Sequence, residues 1–533
     1  MTIAPDTSTR TAPRASSAAL LAVYLEHLGS HSPVLRSVLE RYGRSELGRY
    51  VAALASAPAG STYQSRDDLL TEVAAHTGAL LGSSTGEQAA IDLERLPVTL
   101  TANHHGVDYF AQSVQGTIAF ALGSVGADPR VRTCTVLACG NVALNNLTYP
   151  RGLLAYRGRD DTALDRLPLK IPLFPDRFKR EMVSTAHAYD ATMVARCSAR
   201  VGRLASEGIV DTSLAAAARR VLDEDYLAPE MLAETGYAAQ ATRLNHRLWQ
   251  RMFPEPGSAP ELVSIELELI VVALLRRDLA SQDSLLAHLV LDPAGRASVL
   301  DALEGETGCW SRAALAERLD PARESPPGDA TGTMFFWGIG EKGRRVPLIV
   351  VDVGGSPVLR GIGDHGEQVE IALDAPSLTA ALTDGRIIPS LFTAYAAIAL
   401  GRGMTCLGGY YQARYLPRMQ TGVSAALRVV GDARGADAVA EARTHAYLSG
   451  MQMVSFEHRA GLVPAGPLEI VAAGGLDVEA IARLMHVSVA DAHVASLLET
   501  MPDLLGPDDA HPGWREAIAA ATRDEVGDRL IVI

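Results

Sequence analysis

The chain has 533 residues and a mass of 56.5 kDa, too long for one ordinary core; at about 150 residues per domain it divides into about three or four units. Hydrophobic residues make up 48% and charged residues 21%, proportions that exclude a largely disordered chain. A formal charge of −14 with a pI near 5.5 argues against a general basic surface for nucleic acid or anionic lipid, while leaving room for a local basic pocket.

The cationic residues are almost all arginine, so lysine-dependent chemistry has only Lys170, Lys179 and Lys342 to draw on. Five cysteines (Cys134, Cys139, Cys197, Cys309 and Cys406) are scattered and odd in number, against a disulfide framework. Cys134 and Cys139 fall on opposite faces of a strand-like run and read as buried thiols, and no metal site is expected. No apolar run approaches the ~20 residues needed to span a bilayer. Residues 18–25 (AALLAVYL) mimic a secretion signal until Glu26 and His27 interrupt them. A cytoplasmic protein with neither membrane nor nucleic-acid partners is expected.

Residues 1–15 are rich in Ser, Thr, Pro and Ala and read as a disordered tail. Ser16 and Ser17 offer caps for a helix to about residue 28, and helical runs follow over 33–55 and 66–80. Residues 96–101 (LPVTLT) are a short β-prone run ending at Ala102-Asn103-His104-His105-Gly106. Apolar residues at Val107, Phe110, Val114, Ile118, Ala121 and Leu122 then keep helical spacing. Residues 131–139 (VRTCTVLAC) read as a second, buried strand, closed by Gly140-Asn141-Val142-Ala143-Leu144-Asn145-Asn146; 153–156 is another short strand. Strand, helix, strand opens a parallel α/β sheet, whose ligands sit beyond the carboxyl ends of the strands. Those ends carry the His-His-Gly loop and the Asn-rich loop.

Residues 176–300 read as mainly helical, and 321–332 as the clearest internal linker. Short strands are expected at 333–339, 345–352, 358–362 and 368–373. The turns at 338–343 and 361–366 both satisfy G-x-G-x-x-G, but strand-like runs follow them, so they read as hairpin turns and Lys342 as a hairpin tip. Residues 387–400 look helical, and 404–407 form a short central strand. Gly408-Gly409-Tyr410-Tyr411-Gln412 then opens a helix to about Val430. Residues 477–498 have a helix-turn-helix texture without the basic residues DNA reading needs. The expected organisation is a tail (1–15), the first half of a core (16–175), a helical insertion (176–320), the second half of the core with β-hairpins (333–430), and a helical C-terminal region (431–533).

Three segments in order carry a family resemblance: 98–106 (VTLTANHHG) with its helix; 343–348 (GRRVPL); and 386–391 (RIIPSL) followed by 406–415 (CLGGYYQARY) and Gln420. Together they resemble bacillithiol synthase, the cysteine-adding enzyme of bacillithiol biosynthesis. The resemblance covers about half the chain. It implies a Rossmann-like core related to class I aminoacyl-tRNA synthetases, and a ligase-like enzyme of specialised metabolism that condenses an amino acid with a small amine- or sugar-bearing acceptor. ATP, with the Mg ion that accompanies a nucleotide, is a cofactor it allows, and so is a homodimer. The chain departs from the family where Asn141, Asn145 and Asn146 replace an acidic/His stretch, and where Gln412 replaces a Glu after the glycine pair. Those departures point to a different substrate pair and different chemistry.

On this reading His104 and His105 are the catalytic candidates: imidazoles aimed at developing charge supply a large catalytic term, about 3–4 kcal/mol per donor. Of two adjacent His residues one normally faces the ligand while the other packs. Asn103, Asn141, Asn145 and Asn146 offer uncharged donors and acceptors to polar substrate groups. Arg386 is the candidate for a carboxylate or phosphate. Gly408 and Gly409 allow close backbone approach, with Tyr410, Tyr411 and Gln412 lining the opposite wall. The residues leave two other readings open: a non-catalytic binding or complex-forming member of the fold, and an ATP-independent transferase. No G-x-S-x-G supports a Ser hydrolase.

Overall fold

Four short strands, β1 (Val98–Leu100), β2 (Thr133–Ala138), β3 (Glu261–Glu266) and β4 (Thr405–Leu407), form a wholly parallel sheet in the order β3-β2-β1-β4. The computed structural model describes residues 16–56, 61–158, 163–319, 332–503 and 512–533. The tail expected over 1–15, and all of the expected linker 321–332 except Gly332, lie outside these residues. The architecture is mixed α/β around the parallel sheet. Among the described residues no helix is long and apolar enough to cross a membrane.

Every residue of β1, β2 and β4 is buried, which is why these strands read as continuous apolar runs rather than alternating ones. The sheet separates two apolar cores. Leu100, Cys134, Val136 and Leu262 face one core, together with Ile118 and Phe120 of helix α1 (Ala111–Ala127) and Leu244 and Leu248 of α2 (Tyr237–Met252). Leu137, Val263, Ile265 and Cys406 face the other, with Ile270 and Leu274 of α3 (Leu267–Asp278) and Leu416, Met419 and Val423 of α4 (Gln412–Val429). Burying each such side chain stabilises by about 1.5–3 kcal/mol. Gly123 lets α1 approach helix Leu47–Ser56 closely, since a Cβ there would collide with Val51.

Both G-x-G-x-x-G turns are hairpin turns. The first joins Phe336–Ile339 to Arg345–Pro347 with Lys342 and Gly343 at positive φ, and the second joins Ser356–Ile362 to Gln368–Ala372. The chain differs from expectation in three places. The segment 176–320 is not only helical: β3 comes from it, because the apolar run 261–275 is a strand for six residues and a helix afterwards, and periodicity alone cannot divide such a run. Residues 387–389 pair with Phe336–Ile339 before the helix begins at Leu391. The C-terminal region adds a three-stranded sheet (Val454–His458, Gly461–Pro464 and Ile531–Val532) to its helices. Its helix pair Val478–Leu484 and Val489–Thr500 packs on the N-terminal helices, where Leu47 N donates to Val487 O at 2.8 Å.

After β1 the chain builds β2 and β3 on one side, then returns to lay β4 on the other side of β1. The strand order thus reverses between β1 and β4, the position where open parallel sheets form a crevice beyond their carboxyl ends.

Candidate functional site

A cavity of about 740 Å³ opens at that crevice. Thr101, Ala102 and His104 reach it from the end of β1, Cys139, Asn141 and Val142 from β2, and Gly409, Tyr410, Tyr411 and Gln412 from β4. A loop at 305–311, with Trp337 and Arg345 from the hairpins, forms the facing wall.

The two histidines diverge. His104 bridges in parallel to Cys139, lines the cavity, and has Thr148 Oγ1 3.5 Å from Nδ1. Burial lowers its pKa, Asn146 opposes that shift, and the nearby Arg345 charge adds to it, so the ring is neutral at pH 7. His105 points away, fully buried, with Nε2 3.0 Å from the carbonyl of Ala238 in α2. Gly106 makes the turn: its φ is +123°, and a Cβ there would strike Pro150.

Of the other expected residues, several do not reach the cavity. Asn103 is buried below it, donating to Asp108 Oδ2 at 3.3 Å and Thr117 Oγ1 at 3.0 Å. Asn145 is exposed and accepts from Arg151 at 3.4 Å; Asn146 shapes the loop by accepting from the amide and hydroxyl of Thr148, both at 2.8 Å. Arg386 is on the surface, half-exposed and 3.7 Å from Asp384, because Gly385 and Arg386 close the end of helix Ala375–Thr383. The arginine in the cavity is Arg345, which donates to Asn141 O at 2.7 Å and lies 4.6 Å over the Trp337 ring. Gly408 packs behind the wall, its carbonyl accepting from Leu448 N and Ser449 N, and only Gly409 of the pair faces the cavity.

Gln412 is a strut. Its Oε1 accepts from Thr101 Oγ1 at 3.0 Å and Tyr395 OH at 2.7 Å, while Nε2 donates to Cys406 O at 3.1 Å, tying β1 to β4. Tyr410 and Tyr411 stand with ring centres 4.3 Å apart, Tyr411 at the mouth.

Sequence reasoning missed a buried carboxylate pair. Glu268, in the first turn of α3, accepts from Gly140 N at 2.6 Å, Asn141 N at 3.2 Å and Cys139 Sγ at 3.3 Å, and so fixes the turn after β2. Burial raises the pKa of both Glu266 and Glu268, and Glu268's charge raises that of Glu266 further. The signal was present as two glutamates inside an otherwise apolar run, 262–275. The Cys139 thiol is pushed well up by burial and by Glu268, so it is no thiolate nucleophile.

The formal charges of the cavity lining balance. Among its described lining residues Arg345 is the one guanidinium and Glu306 the one carboxylate. The first turns of α1 and α4 both line it; that of α4 has no side-chain N-cap and carries partial positive charge, whereas the α1 end is already met by carboxylates, Phe110 N donating to Asp108 Oδ1 at 3.0 Å and the backbone of Gln112 bonding to Glu499. None of the three lysines lines it. This set offers an anionic group one guanidinium and one helix N-terminus. A scan against protein-family models, a search of curated proteins and a search of solved structures each find no match to this chain.

Proposed function

We propose that the protein is a transferase with a Rossmann-like core, which moves an amino-acid-derived acyl group from an already activated donor onto a small acceptor without consuming ATP. The observation that carries this is the pairing of one anion-binding corner, Arg345 with the α4 N-terminus, and a neutral imidazole, His104, in the same crevice. The strand order β3-β2-β1-β4 supports the fold assignment. The amino-acid class comes from the resemblance to bacillithiol synthase. In this reading Arg345 holds the donor's anionic group, the acceptor's amine or hydroxyl attacks the acyl carbon, and the bond to the leaving group breaks. His104, neutral and therefore able to accept, takes the proton. Gln412 and Glu268 position the two loops.

A binding protein without turnover is the second reading. It is favoured by Gln412, which stands where the family has an acid and whose amide is occupied by Thr101, Tyr395 and Cys406. The test is incubation of the purified protein with aminoacyl thioesters, free amino acids, ATP and mixed small amines, followed by mass spectrometry. Condensed product is expected from the thioesters, with no AMP or ADP released. The rate should drop about 10- to 100-fold in Arg345→Ala and in His104→Ala, the weight of one charge-assisted or catalytic hydrogen bond. Nucleotide consumption, or full activity in both variants, rules the reading out; ligand retained without product leaves the binding protein.

A further inference from the structure

A second, smaller cavity of about 150 Å³ lies beside the N-terminus of α1. Leu164, Leu167, Val463 and Leu498 wall it, and Phe110 and Leu147 belong to its lining and to that of the larger cavity. An apolar cavity of this size accommodates a benzene ring. One group in it has different chemistry. Glu499 is on its wall, accepting from Tyr156 OH at 2.6 Å through Oε1 and from Gln452 Nε2 through Oε2.

Glu499 has no ion-pair partner among the described residues, and the charge of Asp108 acts on it unfavourably. Burial and that repulsion push its carboxyl up to about 7. Arg515, also on the wall, is turned onto the Trp514 ring at 4.4 Å. Glu499 also accepts from the backbone N–H of Gln112, so three donors meet a carboxylate with about four lone-pair sites, and the polar end of this apolar chamber keeps one acceptor position without a donor.

We infer that this side chamber binds a small primary amine with an apolar, ring-sized body, its ammonium set on the Glu499 carboxylate and its hydrocarbon against Leu164, Val463 and Leu498. An ammonium donates to the remaining carboxylate position, and its charge relieves the Asp108–Glu499 repulsion. That the amine is also the acceptor of the transfer rests on the reading above; the binding site itself does not.

Calorimetric titration of the full chain with 2-phenylethylamine and with its near-isostere 2-phenylethanol tests this. The amine should bind about 10- to 100-fold tighter than the alcohol, as expected for a buried charge-assisted contact. Glu499→Gln should abolish that preference while the alcohol's affinity persists, and Leu498→Phe, which narrows the chamber, should weaken both ligands. Equal affinities in the wild type, no saturable amine binding, or an amine preference that survives in Glu499→Gln overturns the inference. If Glu499→Gln does not fold, the wild-type comparison together with Leu498→Phe decides. Arg345→Ala should leave the amine titration unchanged, so failure of the transfer reading and failure of this one are separable.

Discussion

His105→Gln separates the two adjacent imidazoles by their response to acid. The His105 ring is fully buried, and burial pushes its pKa down to about 4 from 6.5. In the unfolded chain the imidazole takes up a proton below pH 6.5, whereas in the fold it refuses one until about pH 4. Its contribution to stability is therefore complete above 6.5, falls as the pH drops toward 4, and is constant below that. The gap corresponds to about 3 kcal/mol, at about 1.4 kcal/mol per pKa unit. Glutamine carries no titrating proton and retains an N–H for the Ala238 carbonyl, but it fills the ring's site less well; at pH 7 the variant should be less stable by about 1–2 kcal/mol. At pH 4 the order should reverse, with the variant ahead by about 1–2 kcal/mol. His493, also buried and lowered to about 4, is present in both proteins and cancels in the comparison. Urea midpoints at pH 7 and pH 4 measure the two differences. A stability gap of the same size and sign at both values refutes the claim that the fold holds His105 neutral.

Two arginines should behave in opposite ways. Arg402 has no exposed side-chain surface and pairs with Asp68 at 2.8 Å through Nε and with Asp278 at 2.9 Å through Nη2; Arg402→Met leaves two carboxylates without their cation and should cost about 3–5 kcal/mol in urea unfolding. Arg386→Ala should stay within about 0.5 kcal/mol of wild type and leave substrate affinity unchanged, since it removes only an exposed contact. Gln412→Glu should weaken an anionic substrate about 10-fold or more, read as a rise in KM, because it puts a negative charge on the cavity floor at an effective dielectric near 20.

The opening α/β unit is legible because β1, α1 and β2 are each local patterns: a β-prone run, helical spacing, and a second apolar run. From that pattern follow the loops at their carboxyl ends, and the structure brings His104 of one together with Gly409–Gln412 of another in a single cavity. What was not legible is non-local. Arg386 and Arg345 are alike as letters; a tight helix end turns one to solvent, and a strand stacked on Trp337 carries the other inward. Strand β3 was hidden by its continuity with α3, since the helical half keeps apolar residues even where it is exposed or half-buried, as at Leu269 and Val272. The partition of the two histidines was expected as a type of outcome, but which ring packs depends on Ala238, 133 residues further on.

The polar residues around the crevice divide by whether the protein already satisfies them. Gln412 and Glu268 have their hydrogen bonds met by backbone and neighbouring side chains, and each holds one loop in register, whereas Asn103 donates twice but leaves its buried Oδ1 without a partner among the described residues. Buried polar groups of this kind rigidify a site because displacing them leaves donors unpaired. A glutamate at 412 would receive the same two hydroxyls but would set its charge against the anion-binding corner formed by Arg345 and the α4 N-terminus. Glutamine keeps the strut and removes the opposing charge. An amide at 412 is thus compatible with a site that binds an anion. The proton acceptor then has to come from elsewhere on the wall, and His104, lowered in pKa and facing the cavity, is the group in position to serve.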